Sequence, residues 1–167
     1  MSKFKIMGLM VLIAFVMVIV LVSNGLAEEK GKVTVRCAYT TATTHTLKVP
    51  DAEGHINILY EAKGIGFYEK WGPAPIHAVN TVDIIKGAGS FKGYTHTTFS
   101  DGSTISAKFE GKTTAGGAPG ATPSVGTWTY IKGTGKFEGI QGKGTLKTYH
   151  LRPDQFYSDY EGEYTLP

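Results

Sequence analysis

A single cysteine, Cys37, stands in a chain of 167 residues, so no intramolecular disulfide framework is available. It falls in Val33-Thr34-Val35-Arg36-Cys37-Ala38-Tyr39, where Val33, Val35, Cys37 and Tyr39 alternate onto one face of a strand. That pattern predicts a buried small hydrophobe, with an intermolecular bridge or a reactive thiol as the alternatives. Surplus charge is scarce too. The formal net charge is +3, and two of the positive charges are Lys3 and Lys5 at the extreme N-terminus. Helical periodicity is almost absent after residue 27, and no second apolar run reaches bilayer length.

The one long apolar run is Ile6 to Val22, preceded by Lys3 and Lys5 and followed by Ser23-Asn24-Gly25-Leu26-Ala27. Small residues on either side of Leu26 give the pattern that a signal peptidase reads. The sequence therefore predicts a secretory signal cleaved after Ala27, a secreted or periplasmic protein, and one mature domain over 28–167. An uncleaved anchor over 6–22 is the alternative. No cysteine near the end of the run supports a lipoprotein. Cleavage removes two lysines and no acid, so +3 falls to +1. A nearly neutral domain offers no electrostatic attraction to nucleic acid, or to a membrane beyond the signal segment.

What remains is rich in glycine, with short alternating runs separated by Gly, Pro, Asn, Asp and Ser. Strands are expected near 32–40, 55–62, 65–70, 80–86, 92–99, 104–112, 126–132, 143–151 and 155–165. In Thr104 to Gly111, Ile105, Ala107 and Phe109 share one face. The preceding Ser100-Asp101-Gly102-Ser103 reads as a tight type I′ hairpin turn. Gly111 to Gly126 carries two prolines and reads as a long mobile hairpin loop. Tyr68 to Pro75 reads as a turn-rich link, whose Trp71 either caps a pocket mouth or plugs the end of the core.

Two phrases are nearly the same: "IKGAGSFKG" at 85–93 and "IKGTGKFEG" at 131–139 share six of nine positions. A dinucleotide fingerprint is excluded because Gly133-x-Gly135-x-x-x-Gly139 is one residue too long and strand-like sequence follows it. No helix start is available to hold an anion, and no Walker loop is present. The structural reading makes each phrase one connector built twice: Gly87, Gly89 and Gly93, then Gly133, Gly135 and Gly139, turn the chain. Phe91 and Phe137 anchor it inward. Gly142 and Gly144 then mark bends of the kind that closes a barrel, and the repetition suggests a duplicated β scaffold.

"YIKGTGKFEGIQGKGTLKTYHL" followed by "FYSDYEGEYTL" resembles the C-terminal half of the allene-oxide-cyclase barrel-like superfamily, which includes allene oxide cyclases, dirigent-type proteins and bacterial relatives. The likeness covers these residues well, Ala88 to Gly111 more loosely and the N-terminal third hardly at all. It implies a small, closed antiparallel β-barrel of about eight strands, lipocalin-like in shape, with an apolar interior. No residue here matches the functional glutamate of the cyclases.

Chemical motifs are few. His45, His55, His77, His96 and His150 show no metal-ligand spacing, although His96 and His150 would meet if both pointed into a barrel. No Gly-x-Ser-x-Gly elbow is present, and neither a metal nor a cofactor is expected. The candidate ligand contacts are inward polar and aromatic residues: Tyr94, His96 and Thr98 on one strand, Ser158, Tyr160 and Tyr164 beside Phe156 on the last, and Trp71 in its link. The bland alternative is that the tyrosines merely pack their rings. Three functions stay open: a barrel binding a small hydrophobic molecule, a cofactor-free isomerase or cyclase using the same cavity, and a filled structural barrel able to form a homo-oligomer. An isolated carboxylate in a cavity would favour the enzyme, hydroxyls alone the binder, and a filled interior the structural protein.

Overall fold

The computed structural model describes residues 28–115 and 124–167. Eight strands follow one another: β1 (Glu29–Lys48), β2 (His55–Tyr68), β3 (Gly72–Ile85), β4 (Ala88–Thr98), β5 (Thr104–Thr113), β6 (Ser124–Thr134), β7 (Gln141–Arg152) and β8 (Gln155–Leu166). A 3-10 turn, Gly135–Phe137, interrupts the connection from β6 to β7. Each strand pairs antiparallel with the next in the chain, and the sheet closes into a barrel. Closure removes the exposed edges that so many alternating strands would otherwise leave. The signal segment expected over 1–27 lies outside the described residues.

Strand parity decides what faces in. Val33, Val35, Cys37 and Tyr39 on β1 are buried, and so are Ile105 and Phe109 on β5. On β8, Phe156, Ser158 and Tyr164 are buried while Glu161 and Glu163 are exposed. Cys37 is 1% exposed, and burial pushes its thiol up to about 12, so it behaves as a small core hydrophobe.

Two expected strands, 55–62 and 65–70, are one continuous β2. Gly64 lies inside it, opposite Tyr39, where a side chain would collide with the Ala38 carbonyl. The glycine permits a close backbone approach, not a break. The expected link up to Pro75 is corrected likewise, because β3 begins at Gly72. Pro73 and Pro75 pair with β2, and β4 joins only from Ile76 onward. Both prolines therefore sit where β3 has a neighbour on one side only, which a missing N–H tolerates. The long loop expected over 111–126 is shorter, since β5 runs to Thr113 and β6 starts at Ser124; residues 116–123 of it lie outside the described residues.

The twin phrases are not one connector made twice. In the first, the turn is only Lys86-Gly87, both at positive φ (50° and 85°), and Ala88 already pairs with Ile85. In the second, Gly135 (φ 62°) starts the 3-10 turn and Gly139 (φ 75°) ends the connection. The first joins β3 to β4 and the second β6 to β7, so an up-and-down barrel puts them at opposite ends. The Asp101-Gly102 hairpin also differs from the type I′ expectation. Only Gly102 has positive φ (81°), and Asp101 Oδ1 instead accepts a hydrogen bond from Ser103 N at 3.0 Å.

Candidate ligand cavity

The barrel interior is filled at one end and hollow at the other. The filled end is an aromatic plug. Trp71 packs edge-on against Phe137 and Tyr164, with ring centroids 4.9 and 5.0 Å away, and Phe99 meets Phe137 in a tilted contact at 4.7 Å. Phe137, the anchor of the second phrase, is 1% exposed there. Trp71 and Tyr164 thus close the core and do not line the cavity, and Tyr164 accepts a hydrogen bond from Lys70 Nζ at 2.6 Å.

The hollow end encloses a cavity of about 260 Å³, a little below the roughly 300–1,000 Å³ usual for drug-sized ligands. Its walls are mostly apolar: Ile58 from β2, Val82 and Ile84 from β3, Phe91 from β4, Phe109 from β5, Leu146 from β7 and Phe156 from β8. Glycines make room for the rings. Phe91 pairs across the sheet with Gly111, and Phe109 with Gly93. A Cβ on either glycine would stand about 2.5 Å from the facing ring (2.5 Å at Gly111, 2.6 Å at Gly93). Each ring lies over the neighbouring glycine, which is how aromatic side chains cover bare strand backbone. Phe91 and Phe109, with Gly111 and Gly93 beneath their rings, therefore shape the cavity wall, while Gly87 turns the chain at its rim.

Polar groups on the wall are few. Thr148 and Ser158 share a hydrogen bond of 2.8 Å between their hydroxyls, and Ser158 is 2% exposed. The hydroxyls of Tyr39 and Tyr160 stand 3.5 Å apart. Burial raises the pKa of both phenols, and it pushes Tyr60 up to about 12, so these groups stay neutral hydrogen-bonding handles. Asn80, in the middle of β3, is 4% exposed and also lines the cavity. Its Nδ2 has no hydrogen-bond partner among the described residues. An unmade hydrogen bond on a buried amide costs about 1–3 kcal/mol. His150 stands at the rim, still reached by solvent, with its ring 5.3 Å from that of Phe156; desolvation lowers its pKa. No Asp, Glu, Lys or Arg lines the cavity among the described residues.

The expected inward face of β4 is corrected. Tyr94 and His96 point outward, Tyr94 being 61% exposed, and Gly93, Thr95, Thr97 and Phe99 point inward. His96 hydrogen-bonds Ser106 Oγ on the outer surface at 3.0 Å and is far from meeting His150 inside. Phe91 on β4 and Phe99, one residue past its end, carry the signal that locates this parity, since both occupy odd positions. Of the expected contacts, Ser158 and Tyr160 line the cavity, whereas Trp71, Tyr94, His96 and Tyr164 do not. Asn80 escaped the sequence reading because the prolines hid the alternation Ala74, Ile76, Ala78, Asn80, Val82, Ile84. Among the described residues, no group of three or more His, Cys, Asp or Glu is placed to hold a metal ion.

An apolar hollow ringed by hydroxyls inside an eight-stranded meander can now be compared with known structures. A protein of unknown function from Clostridium acetobutylicum ATCC 824 superposes with a TM-score of 0.59 at 12% identity, covering 86% of this chain and 100% of its own. The pterocarpan synthase dirigent protein GePTS1 superposes with a TM-score of 0.52 at 14% identity, covering 83% of this chain and 89% of its own. The fold is a dirigent-like β-barrel. No family model and no curated protein matches the sequence. At these identities the likeness speaks for the barrel alone, and the chemistry has to be argued from the cavity.

Proposed function

We propose that this protein is an exported dirigent-like barrel that binds a small hydrophobic molecule in its cavity. One observation carries the reading: a cavity of about 260 Å³ with apolar walls and, among the described residues, no charged side chain on them. Such a surface stabilises an apolar guest through area removed from water, with hydroxyls and one amide left to orient it. The signal-like sequence of residues 1–27 supports export.

Turnover in the same cavity is the second reading, favoured by the fold shared with a dirigent protein named as a pterocarpan synthase. It would need a proton donor or acceptor beside the reacting atom. Among the described lining residues the one imidazole is His150, whose pKa desolvation lowers, and it sits at the rim. Binding is therefore the better-supported reading.

Native mass spectrometry of the protein purified from its own host tests binding. A retained small molecule, released on denaturation and lost in a cavity-filling Val82→Phe variant, is the expected result. A clean apo mass, with no thermal shift across a panel of apolar compounds, would overturn it. Amino-terminal sequencing of the same sample tests export, since a mature chain should begin at Glu28.

A further inference from the structure

We propose that the cavity selects a neutral apolar molecule bearing a carbonyl-type oxygen, which accepts a hydrogen bond from the side-chain amide of Asn80. This inference rests on the binding reading above and adds the chemical class of the guest.

Asn80 is the starting point. It sits midway along β3, pairs with Tyr60 on β2 and Gly93 on β4, and is almost wholly buried against the cavity. Its Nδ2 carries two N–H donors without a partner among the described residues. On the opposite wall the situation differs: Thr148 and Ser158 share a hydrogen bond at 2.8 Å, so each hydroxyl has a partner. Among the described lining residues, the Asn80 nitrogen is the side-chain polar atom buried without a partner.

The class of guest follows from what surrounds the amide. A half-turn about χ2 exchanges the two ends of the amide, so the nitrogen can face the lumen without any backbone movement. A carbonyl oxygen there would accept from it while the apolar body lies against Val82, Phe91 and Phe109. An ionised carboxylate would enter with no opposite charge among the described lining residues, and its desolvation would go uncompensated. A pure hydrocarbon would leave the amide unpaired. A ketone, ester or lactone meets both conditions.

Three probes of one shape test this at neutral pH: naphthalene, acetylnaphthalene and naphthoate, titrated into the mature protein and followed by nitrogen–proton correlation spectra. We expect acetylnaphthalene to bind about tenfold more tightly than naphthalene, as one added buried hydrogen bond implies. Naphthoate should be weakest, and only acetylnaphthalene should shift the Asn80 side-chain amide resonances. In Asn80→Leu, acetylnaphthalene should fall to the affinity of naphthalene. Equal binding of the two with an unmoved Asn80 amide, or a preference surviving in Asn80→Leu, overturns the inference and leaves the cavity reading standing. If no probe binds at all, the cavity reading falls and takes the inference with it. Should Asn80→Leu fail to fold, the wild-type amide resonances decide alone.

Discussion

Arg36 on β1 grips Asp159 on β8 with two parallel contacts, Nε to Oδ1 at 2.6 Å and Nη2 to Oδ2 at 2.8 Å. This two-point pair joins the first strand to the last, where the barrel closes. The guanidinium also lies 5.1 Å over the ring of Tyr157, which stacks on Tyr149. The pair is solvent-exposed on the Arg36 side, so screening limits its strength. Arg36→Ala should lower the melting temperature by only about a few degrees. Added salt should narrow the gap to wild type. Arg36→Lys should recover less than half, because an ammonium cannot reproduce the planar fork or the stacking. Thermal denaturation at low and high salt measures this; a full rescue by lysine would show that charge alone matters.

Inside the cavity, the Thr148–Ser158 hydroxyl pair is satisfied only while both members remain. Ser158→Ala should cost about 1–2 kcal/mol, because Thr148 loses its partner in a largely buried setting. Adding Thr148→Val should recover part of that loss, since replacing both hydroxyls leaves nothing unpaired. Urea denaturation of the two single variants and the double variant closes the cycle. Strict additivity would mean that the two hydroxyls are independently hydrated.

The two cavity residues also show where the sequence was legible. On β8 the acids Asp159, Glu161 and Glu163 occupy one parity, so Ser158 and Tyr160 had to face in. On β4 the pattern misleads. The inward residues Gly93, Thr95 and Thr97 are small, while the large Tyr94 and His96 face out, because the rings that fill the space there come from β5 and from Phe91. A single strand carries no record of rings contributed by its neighbour. Closure was readable for a related reason: a neutral chain of short alternating runs has few other ways to protect its edges. The split into a plugged and a hollow end was not readable. It depends on which side chains meet across the lumen, as Trp71 meets Phe137, and those residues are far apart in sequence.

Gly93 provides a sharp test of the glycine reading. A Cβ there would lie 2.3 Å from the Val79 carbonyl oxygen and 2.6 Å from Phe109 Cζ. Gly93→Ala should destabilise the barrel by about 1–3 kcal/mol, the usual range for overpacking. Combining it with Phe109→Leu should relieve only the ring contact, leaving the backbone clash. Gly102→Ala offers a contrast, because nothing lies within 4 Å of the added carbon and only the positive φ of 81° is strained. Chemical denaturation should therefore show Phe109→Leu partly rescuing Gly93→Ala and having no such effect on Gly102→Ala.

Two histidines should bend the pH profile of stability in opposite senses. His55, at the start of β2, bonds Asp83 at 2.7 Å and also Asp51, with the Lys86–Glu53 pair on the neighbouring turn. The hydrogen bonds to Asp83 and then Asp51 raise its pKa above the ordinary value. The folded state then holds the proton longer than the unfolded chain. Its contribution is complete below the unfolded value of about 6.5 and is lost as pH rises through the folded pKa. His150 is the reverse. Partial desolvation beside Phe156 lowers its pKa, so the unfolded chain takes up the proton first. Stability should fall as pH drops from about 6.5 through the folded pKa. Urea midpoints measured from about pH 5 to about pH 9 separate the two. His55→Gln should flatten the loss above about pH 6.5, and His150→Phe should flatten the loss below it. If His55→Gln leaves the slope above neutrality unchanged, the Asp51–His55–Asp83 bridge does not hold the charged histidine in solution.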